Sequence, residues 1–246
     1  MRSAAKEWLL VTDLDGTLAE RDAAATGAAR DALAWLQERG VHLCLASGKP
    51  CAYLSGVARM LGIGQAALIG ENGCVLWQTS QMPTRAWRAP IAPTAAEALG
   101  WVRRSLPREF RQRIFMQPNE VVVTAFPVDA DPSLPGELEA FLHHHRVDQE
   151  LEIYRHADSV ECVPRGVDKA LALDRLLRRR PAARGRVIAV GDGANDVALL
   201  RVADIALRVG DHPALAGEDA REVSCFADLP RVLEPILTGQ AEACAA

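Results

Sequence analysis

The chain has 246 residues, 49% hydrophobic and 24% charged, as expected of a globular protein with a full core. Its formal net charge of -4 gives no indication of a nucleic acid or an anionic membrane as partner. No apolar run approaches the roughly 20 residues of a membrane span. The apolar stretch near the N-terminus leads directly into Asp13, unlike a signal peptide. We therefore expect a cytoplasmic protein.

The cysteines are scattered and include no C-x-x-C pair, which argues against a zinc site. Several lie in apolar segments, so we expect reduced thiols that act as small hydrophobic residues in the core. The six are Cys44, Cys51, Cys74, Cys162, Cys225 and Cys244.

The first third of the chain alternates short apolar runs with helical patterns. Strands are predicted at 8–12, 41–46 and 67–69, and helices at 26–39 and 50–61. Strands joined by helices of this length pair in parallel.

The middle of the chain has a different order. Helix, hairpin, helix and hairpin follow one another over residues 94–106, 111–126, 134–145 and 151–163. This order is typical of an antiparallel sheet with helices on one face.

After residue 166 the first pattern returns. Helices are predicted at 168–180, 195–202 and 229–237, and strands at 187–190 and 205–209.

The predicted fold class is therefore α/β, with a Rossmann-like parallel-sheet core and an inserted small α+β domain. Proline and glycine at 82–83 and 164–166 are typical of hinges. They divide the chain into a core of residues 1–83 and 165–246 and an insert of residues 84–164.

Carboxylates follow two of the predicted strands. In residues 13–17, Asp13 and Asp15 are two positions apart, so their side chains point to the same side of an extended segment. Two carboxylates this close repel each other unless a cation lies between them or one holds a proton. Residues 191–196 bring two more carboxylates to the same sheet edge, where parallel sheets bind ligands. Oxygen ligands of this kind suit magnesium.

Two lysines stand out because the chain has 25 Arg and only three Lys. Lys49 follows Ser47 and Gly48 at the end of the second strand. Lys169 lies in the first turn of a predicted helix, where the helix dipole disfavours a cation. An ammonium aimed at a phosphoryl group would explain that position.

These four segments, in this order, resemble the motifs of the haloacid dehalogenase superfamily of phosphatases. They are residues 13–17, Ser47, Lys169 and residues 191–196. The insert is similar to the type IIB cap of the Cof-like branch, which includes phosphoglycolate, mannosyl-3-phosphoglycerate and sucrose-phosphate phosphatases. The resemblance spans residues 8 to about 235.

The resemblance implies a magnesium-dependent hydrolysis of phosphomonoesters in which Asp13 is the nucleophile and Asp15 the general acid and base. Mg²⁺ would be held by Asp13, the backbone carbonyl of Asp15 and Asp192. Asn195 and Asp196 would orient Lys169 and the metal waters from behind. The groups expected to bind phosphate are Leu14, Ser47, Gly48, Lys169 and Asn195.

The substrate would be a small phosphorylated metabolite, a sugar phosphate or a phosphorylated acid. Residues 71–73 (ENG) read either as a hairpin turn or, because the same tripeptide occurs in relatives acting on phosphorylated acids, as a substrate contact through Glu71 and Asn72. Lys49 and the cap residues Arg113 and His156 are further candidates, each weighed against a solvent-exposed role. Residues 43–50 fail the P-loop pattern at both ends.

Two other functions stay open. A related branch with a similar cap isomerises hexose phosphates, so a phosphomutase is not excluded by the sequence. A non-catalytic phosphate-binding module is the third reading, although such a module would be expected to lose one of the site residues present here. The sequence does not determine the oligomeric state.

Overall fold

The computed structural model describes residues 7–21, 23–82 and 84–238. The described residues form two compact units, one from Arg88–Val167 and one from the residues up to Trp87 and from Asp168 onward. The two divisions fall a few residues after the boundaries expected from the sequence. Pro83, part of one expected hinge, and Cys244 lie outside the described residues.

Twelve strands are present in the described residues: β1 (Leu9–Thr12), β2 (His42–Ala46), β3 (Ala67–Gly70), β4 (Val75–Trp77), β5 (Ala86–Arg88), β6 (Ile114–Met116), β7 (Val123–Pro127), β8 (Leu151–Arg155), β9 (Val160–Pro164), β10 (Val187–Gly191), β11 (Ile205–Val209) and β12 (Arg221–Val223). The same residues form seven α-helices: α1 (Gly27–Glu38), α2 (Cys51–Met60), α3 (Pro93–Glu109), α4 (Leu134–His144), α5 (Lys169–Leu177), α6 (Val197–Arg201) and α7 (Leu229–Leu237).

The large sheet has the strand order β12-β11-β10-β1-β2-β3-β4-β5. From β12 to β3 all neighbouring strands are parallel, and β4 then pairs with β3 in the antiparallel direction. The predicted α/β class with a parallel-sheet core is therefore confirmed. Strands β4, β5 and β12 were not predicted.

The centre of this sheet is β1, which lies between β2 and β10. Its residues Leu9, Leu10 and Val11 are completely buried, as expected for a strand covered on both faces. In the register of the sheet, Thr12 pairs with Leu45 of β2 and Val190 of β10. The carboxyl ends of these three strands therefore end side by side, and the residues that follow them are brought together.

Helices α5 and α6 pack on the large sheet and bury its apolar residues. The resulting core contains Leu9, Val11, Cys44, Ile69, Ala172, Leu173, Leu176, Val187, Ala189 and Leu199. The helix ends are fixed by local hydrogen bonds. Asp168 caps α5 by accepting from Leu171 N at 2.8 Å, and Thr26 caps α1 by accepting from Ala29 N at 3.1 Å. The cap of α5 places Lys169 at the first position of the helix.

The second unit has a four-stranded antiparallel sheet in the order β6-β7-β9-β8. Helices α3 and α4 contribute Leu99, Val102, Leu138 and Leu142 to the same core as Val123, Ala125, Val160 and Cys162 of the sheet. Strand β6 is shorter than predicted because residues 111–113 form a 3₁₀ turn. Among the helices of the described residues, none combines the length and hydrophobicity that crossing a bilayer requires.

Four of the five cysteines in the described residues are buried, and Cys225 is exposed. Cys51 Sγ lies 3.6 Å from the carbonyl oxygens of Leu68 and Val75, inside the large unit. Cys162 lies in the core of the second unit. Their positions match the expected use of cysteine as a small core residue.

Candidate active site

The site begins at Asp13, the first residue after β1. Asp13 N donates to Val190 O at 2.9 Å, which continues the pairing of β1 with β10 and fixes the backbone at this point. Asp13 is 6% exposed, so only a small part of it is open to a reacting group. Lys169 Nζ donates to Asp13 Oδ1 at 2.6 Å.

Lys169 is completely buried between two carboxylates. Its Nζ also donates to Asp196 Oδ1 at 2.7 Å. Asp196 Oδ2 accepts from the backbone N of Asp192 and of Gly193, each at 3.1 Å. Because both of its oxygens are engaged in this way, Asp196 orients Lys169 and the 192–193 backbone. The expected role of Asp196 in orienting the metal waters stays a prediction.

Asp192 is held beside the first loop by Thr17 and Gly16. Thr17 Oγ1 donates to Asp192 Oδ1 at 2.7 Å. Gly16 has φ of +92°, a conformation that favours glycine, and a Cβ at this residue would lie 2.2 Å from Asp192 Oδ2. Glycine at this position therefore permits both the positive φ of the turn and the close approach of the two loops.

The charges in this cluster are unbalanced, because three buried or half-buried carboxylates surround one ammonium. Burial raises the pKa of Asp13 well above its usual value, Lys169 lowers it, and the neighbouring carboxylates raise it further. Burial also raises the pKa of Asp192, against the hydrogen bond from Thr17. For Lys169, burial disfavours the ammonium, but the two carboxylates outweigh it and the net shift of the pKa is upward. Additional positive charge would stabilise ionised Asp13 and Asp192.

The donor set fits a divalent cation. Asp13, Asp192 and Asp196 each offer an oxygen, and these atoms lie within 4.8 Å of one another. In the described part of the chain, Asp13 Oδ1 and Asp192 Oδ1 accept hydrogen bonds, and no donor contacts their second oxygens. A donor set made up of oxygen atoms suits a hard cation such as Mg²⁺.

The loop after β2 lies at the same sheet edge. Ser47 is buried, and its Oγ accepts from Lys49 N at 3.2 Å, which leaves the hydroxyl hydrogen available to a ligand. Lys49 Nζ lies 3.7 Å from Asp15 Oδ2. Among the described residues, the backbone N–H groups of Leu14 and Gly48 donate to no protein acceptor. These groups are free to meet phosphoryl oxygens.

Residues 71–73 join the antiparallel strands β3 and β4, so the hairpin-turn interpretation of this segment is correct. The turn is buried and also contacts the site. Asn195 Nδ2 donates to Asn72 Oδ1 at 3.0 Å. Whether Glu71 and Asn72 bind substrate stays a prediction.

The two cap candidates belong to the second unit, where they contact acidic residues. Arg113 donates to both carboxylate oxygens of Glu137, at 2.9 and 3.0 Å, and also to Asp131 at 3.4 Å. His156 Nε2 lies 4.0 Å from Glu161 Oε2. A role of either residue in substrate recognition stays a prediction.

Two contacts of the site were not found from the sequence. The spacing of the motif does not show that Thr17 orients Asp192, because the two residues are 175 positions apart. The link between Asn72 and Asn195 was missed for the same reason. The only available signal was that Thr17 and Asn72 each lie beside a glycine just after a predicted strand.

Known phosphatases and hydrolases resemble this chain in sequence and in fold. The chain shares 26% identity over 209 residues with a phosphoglycolate phosphatase of Methanoculleus marisnigri, covering 83% of this chain and 84% of that one. A haloacid dehalogenase-like hydrolase from Bacteroides thetaiotaomicron has the same fold, with a TM-score of 0.72, 23% identity and coverage of 94% and 98%. A sugar phosphatase of HAD subclass IIB superposes with a TM-score of 0.67 at 16% identity, covering 93% and 98%.

The sequence and fold comparisons thus define a phosphatase with the fold of haloacid dehalogenase-like hydrolases, among them a sugar phosphatase of HAD subclass IIB. The sequence model of the sucrose-6F-phosphate phosphohydrolase family matches residues 6–228, nearly the whole chain, and the protein belongs to this family.

Proposed function

We propose that this phosphatase hydrolyses phosphomonoesters with the help of Mg²⁺, through a phosphoryl group transferred to Asp13. The observation that carries the proposal is the contact of Asp13 with the buried Lys169, 2.6 Å apart, beside the carboxylate of Asp192. Two lines of argument support this reaction: the roles expected from the sequence and the geometry of the described residues.

In the first step a carboxylate oxygen of Asp13 attacks phosphorus and the bond from phosphorus to the ester oxygen breaks. The departing oxygen takes its proton from Asp15. In the second step Asp15, now a carboxylate, removes a proton from water, whose oxygen attacks phosphorus. The bond from Asp13 to phosphorus breaks, and inorganic phosphate and ionised Asp13 are released.

The other polar groups bind the phosphoryl oxygens. Lys169 and the hydroxyl of Ser47 supply positive charge and a hydrogen bond, and the free N–H groups of Leu14 and Gly48 supply two further donors. Donors that are fixed before the reaction stabilise the transition state most. Asn195, held by Asn72, is a further donor at this position.

Mg²⁺ would be held by Asp13, the backbone carbonyl of Asp15 and Asp192, where it would neutralise charge between the carboxylates and the phosphoryl group. The raised pKa of Asp13 and of Asp192, caused first by burial, supports the need for such a cation.

We propose a small sugar phosphate or phosphorylated acid as the substrate. The relative from Methanoculleus marisnigri is named for phosphoglycolate and the family for a sucrose phosphate, so both chemical classes belong in the test. The part of the substrate beyond the phosphate is expected to select among them.

The test is release of inorganic phosphate from a panel that contains phosphoglycolate, mannosyl-3-phosphoglycerate, sucrose 6-phosphate and hexose phosphates, with Mg²⁺ or with EDTA. We expect Mg²⁺-dependent release by the native protein and none by Asp13→Asn, with circular dichroism confirming that the variant is folded. An active Asp13→Asn variant would refute the assignment of the nucleophile. Conversion of one hexose phosphate to another without free phosphate would indicate a mutase instead.

A further inference from the structure

The turn between β3 and β4 has an unusual backbone. Glu71, Asn72 and Gly73 all have positive φ, of 54°, 52° and 97°, and two of them are not glycine. All three residues are buried. Residues other than glycine seldom adopt positive φ, and they keep it only where the surrounding structure enforces it. Backbone strain of this kind is concentrated at functional sites.

This turn is bonded to the loop that follows β2. Glu71 N donates to Lys49 O at 3.0 Å, and Asn72 N donates to Ser47 O at 3.1 Å. Two backbone hydrogen bonds thus fix the turn to the loop that carries Ser47. The position of the Asn72 side chain is set by this backbone.

The same turn closely approaches the start of α5. A Cβ at Gly73 would lie 1.9 Å from the carbonyl oxygen of Asp168 and 3.0 Å from Lys169 N. The third residue of the turn therefore packs directly against the segment that positions Lys169. Through its backbone alone, the turn therefore contacts two of the segments that build the site.

The side chain of Asn72 reaches a third segment. Its Oδ1 accepts from Asn195 Nδ2 at 3.0 Å, across 123 positions of sequence. The terminal torsion of an unrestrained asparagine is broad, so its carboxamide can present either the oxygen or the nitrogen to a ligand. A phosphoryl oxygen is attracted by the nitrogen and repelled by the oxygen. The bond to Asn72 selects one of these orientations.

We propose that Asn72 is a positioning residue that holds Asn195 in the orientation required to donate to the phosphoryl group. This inference rests on the proposed function, in which Asn195 binds phosphate. The Asn72 side chain then acts on the phosphoryl group through Asn195.

The test compares Asn72→Gly, Asn195→Ala and the double variant. Glycine is chosen because it adopts positive φ without strain, so that the turn itself is kept. We expect Asn72→Gly to lower kcat/KM about tenfold and to raise the inhibition constant of inorganic phosphate. Losses of this size are typical when a residue that orients a ligand-binding group is removed. In the Asn195→Ala background the same substitution should change kcat/KM less than about twofold.

Equal losses in both backgrounds would overturn the inference, since they would mean that Asn72 contacts the substrate or only supports the fold. Native kinetics of Asn72→Gly would overturn it as well. A second readout does not depend on catalysis: the side-chain amide resonances of Asn195 should move toward those of an exposed asparagine in Asn72→Gly. Unmoved resonances would exclude the contact. If the native protein hydrolyses no ester while these resonances do move, the proposed function fails and the catalytic part of the inference fails with it, whereas the contact stands.

Discussion

The residue that most depends on its surroundings is Lys169, a completely buried ammonium between Asp13 and Asp196. A charge in this position is stable only because both carboxylates contact it at hydrogen-bonding distance. The sequence indicated a special role for this lysine because the chain otherwise uses arginine. The resemblance already paired it with Asp196, 27 positions away, whereas its direct contact with Asp13, 156 positions away, became known only from the structure.

We expect Lys169→Met to lower kcat/KM by about 100-fold or more, because a donor to the reacting group is lost. It should also lower the free energy of unfolding by about 3–5 kcal/mol, since two buried carboxylates lose their cation. Urea unfolding in EDTA measures this loss without a metal ion taking the place of the ammonium. The matched control is Lys49→Met, whose partly exposed pair with Asp15 at 3.7 Å should contribute less than about 1 kcal/mol. Equal stability of the two variants would contradict this account of Lys169.

A second prediction concerns Thr17, whose hydroxyl orients Asp192. Thr17→Val keeps the shape of the side chain and removes the donor. We expect the Mg²⁺ concentration for half-maximal activity to rise about tenfold, as it does when a partner behind a metal ligand is lost. Thr94→Val, which removes a hydroxyl-carboxylate hydrogen bond on the exposed surface of the second unit, should leave that concentration unchanged. If Thr17→Val needs no more Mg²⁺ than the native protein, Asp192 has no role in metal binding.

At the scale of the elements, the loops after β1 and β10 approach each other so closely that only glycine fits at residue 16. We expect Gly16→Ala to reduce kcat/KM by about 100-fold, because a displaced Asp192 no longer faces Asp13. Gly56→Ala is the control, since Gly56 is exposed within α2 and a Cβ there meets no atom within 4 Å. That variant should keep its activity and gain about 0.5–1 kcal/mol of stability. Full activity in Gly16→Ala would show that the close approach is not required.

The elements that bear the site were predictable because each is a continuous apolar run followed by polar residues. Strands β1, β2 and β10 were found in this way, and the order of the chain then gave their parallel pairing. The missed strands lack this signal. Strand β12 (Arg221–Val223) is short and carries two charged residues at the sheet edge, and β4 lies directly after a turn and has only three residues.

Contacts between distant segments were the part of the site that the sequence could not provide. The convergence of Asp13, Ser47 and Asp192 followed from a general property of parallel sheets, that ligands bind beyond the carboxyl ends of the strands. Lys169, at the start of a helix, was expected there from the resemblance. The contact of Asn72 with Asn195 depends instead on positive φ angles in a buried turn. Sequence patterns do not reveal such backbone conformations when the residues are not glycine.

At the scale of the whole molecule, each of the two units has its own core, and each core contains a buried cysteine. Burial raises the pKa of Cys162 to about 12, so its thiol stays protonated and unreactive at neutral pH. We expect a thiol reagent to label exposed Cys225 in the native protein, and Cys44 and Cys162 only when denaturant unfolds the units that contain them. Peptide mapping identifies the labelled residue. Rapid labelling of Cys162 without denaturant would contradict the described core of the second unit.

The central claim is that Asp13 receives the phosphoryl group. The most direct measurement uses Asp15→Asn with 4-nitrophenyl phosphate, whose leaving group needs no proton, so that only the second step is impaired. We predict a burst of 4-nitrophenolate close to one equivalent per enzyme, as expected when a covalent intermediate accumulates. Borohydride trapping should then convert Asp13 to homoserine. A phosphoryl group found on another residue, or turnover without a burst and without modification of Asp13, would contradict the mechanism.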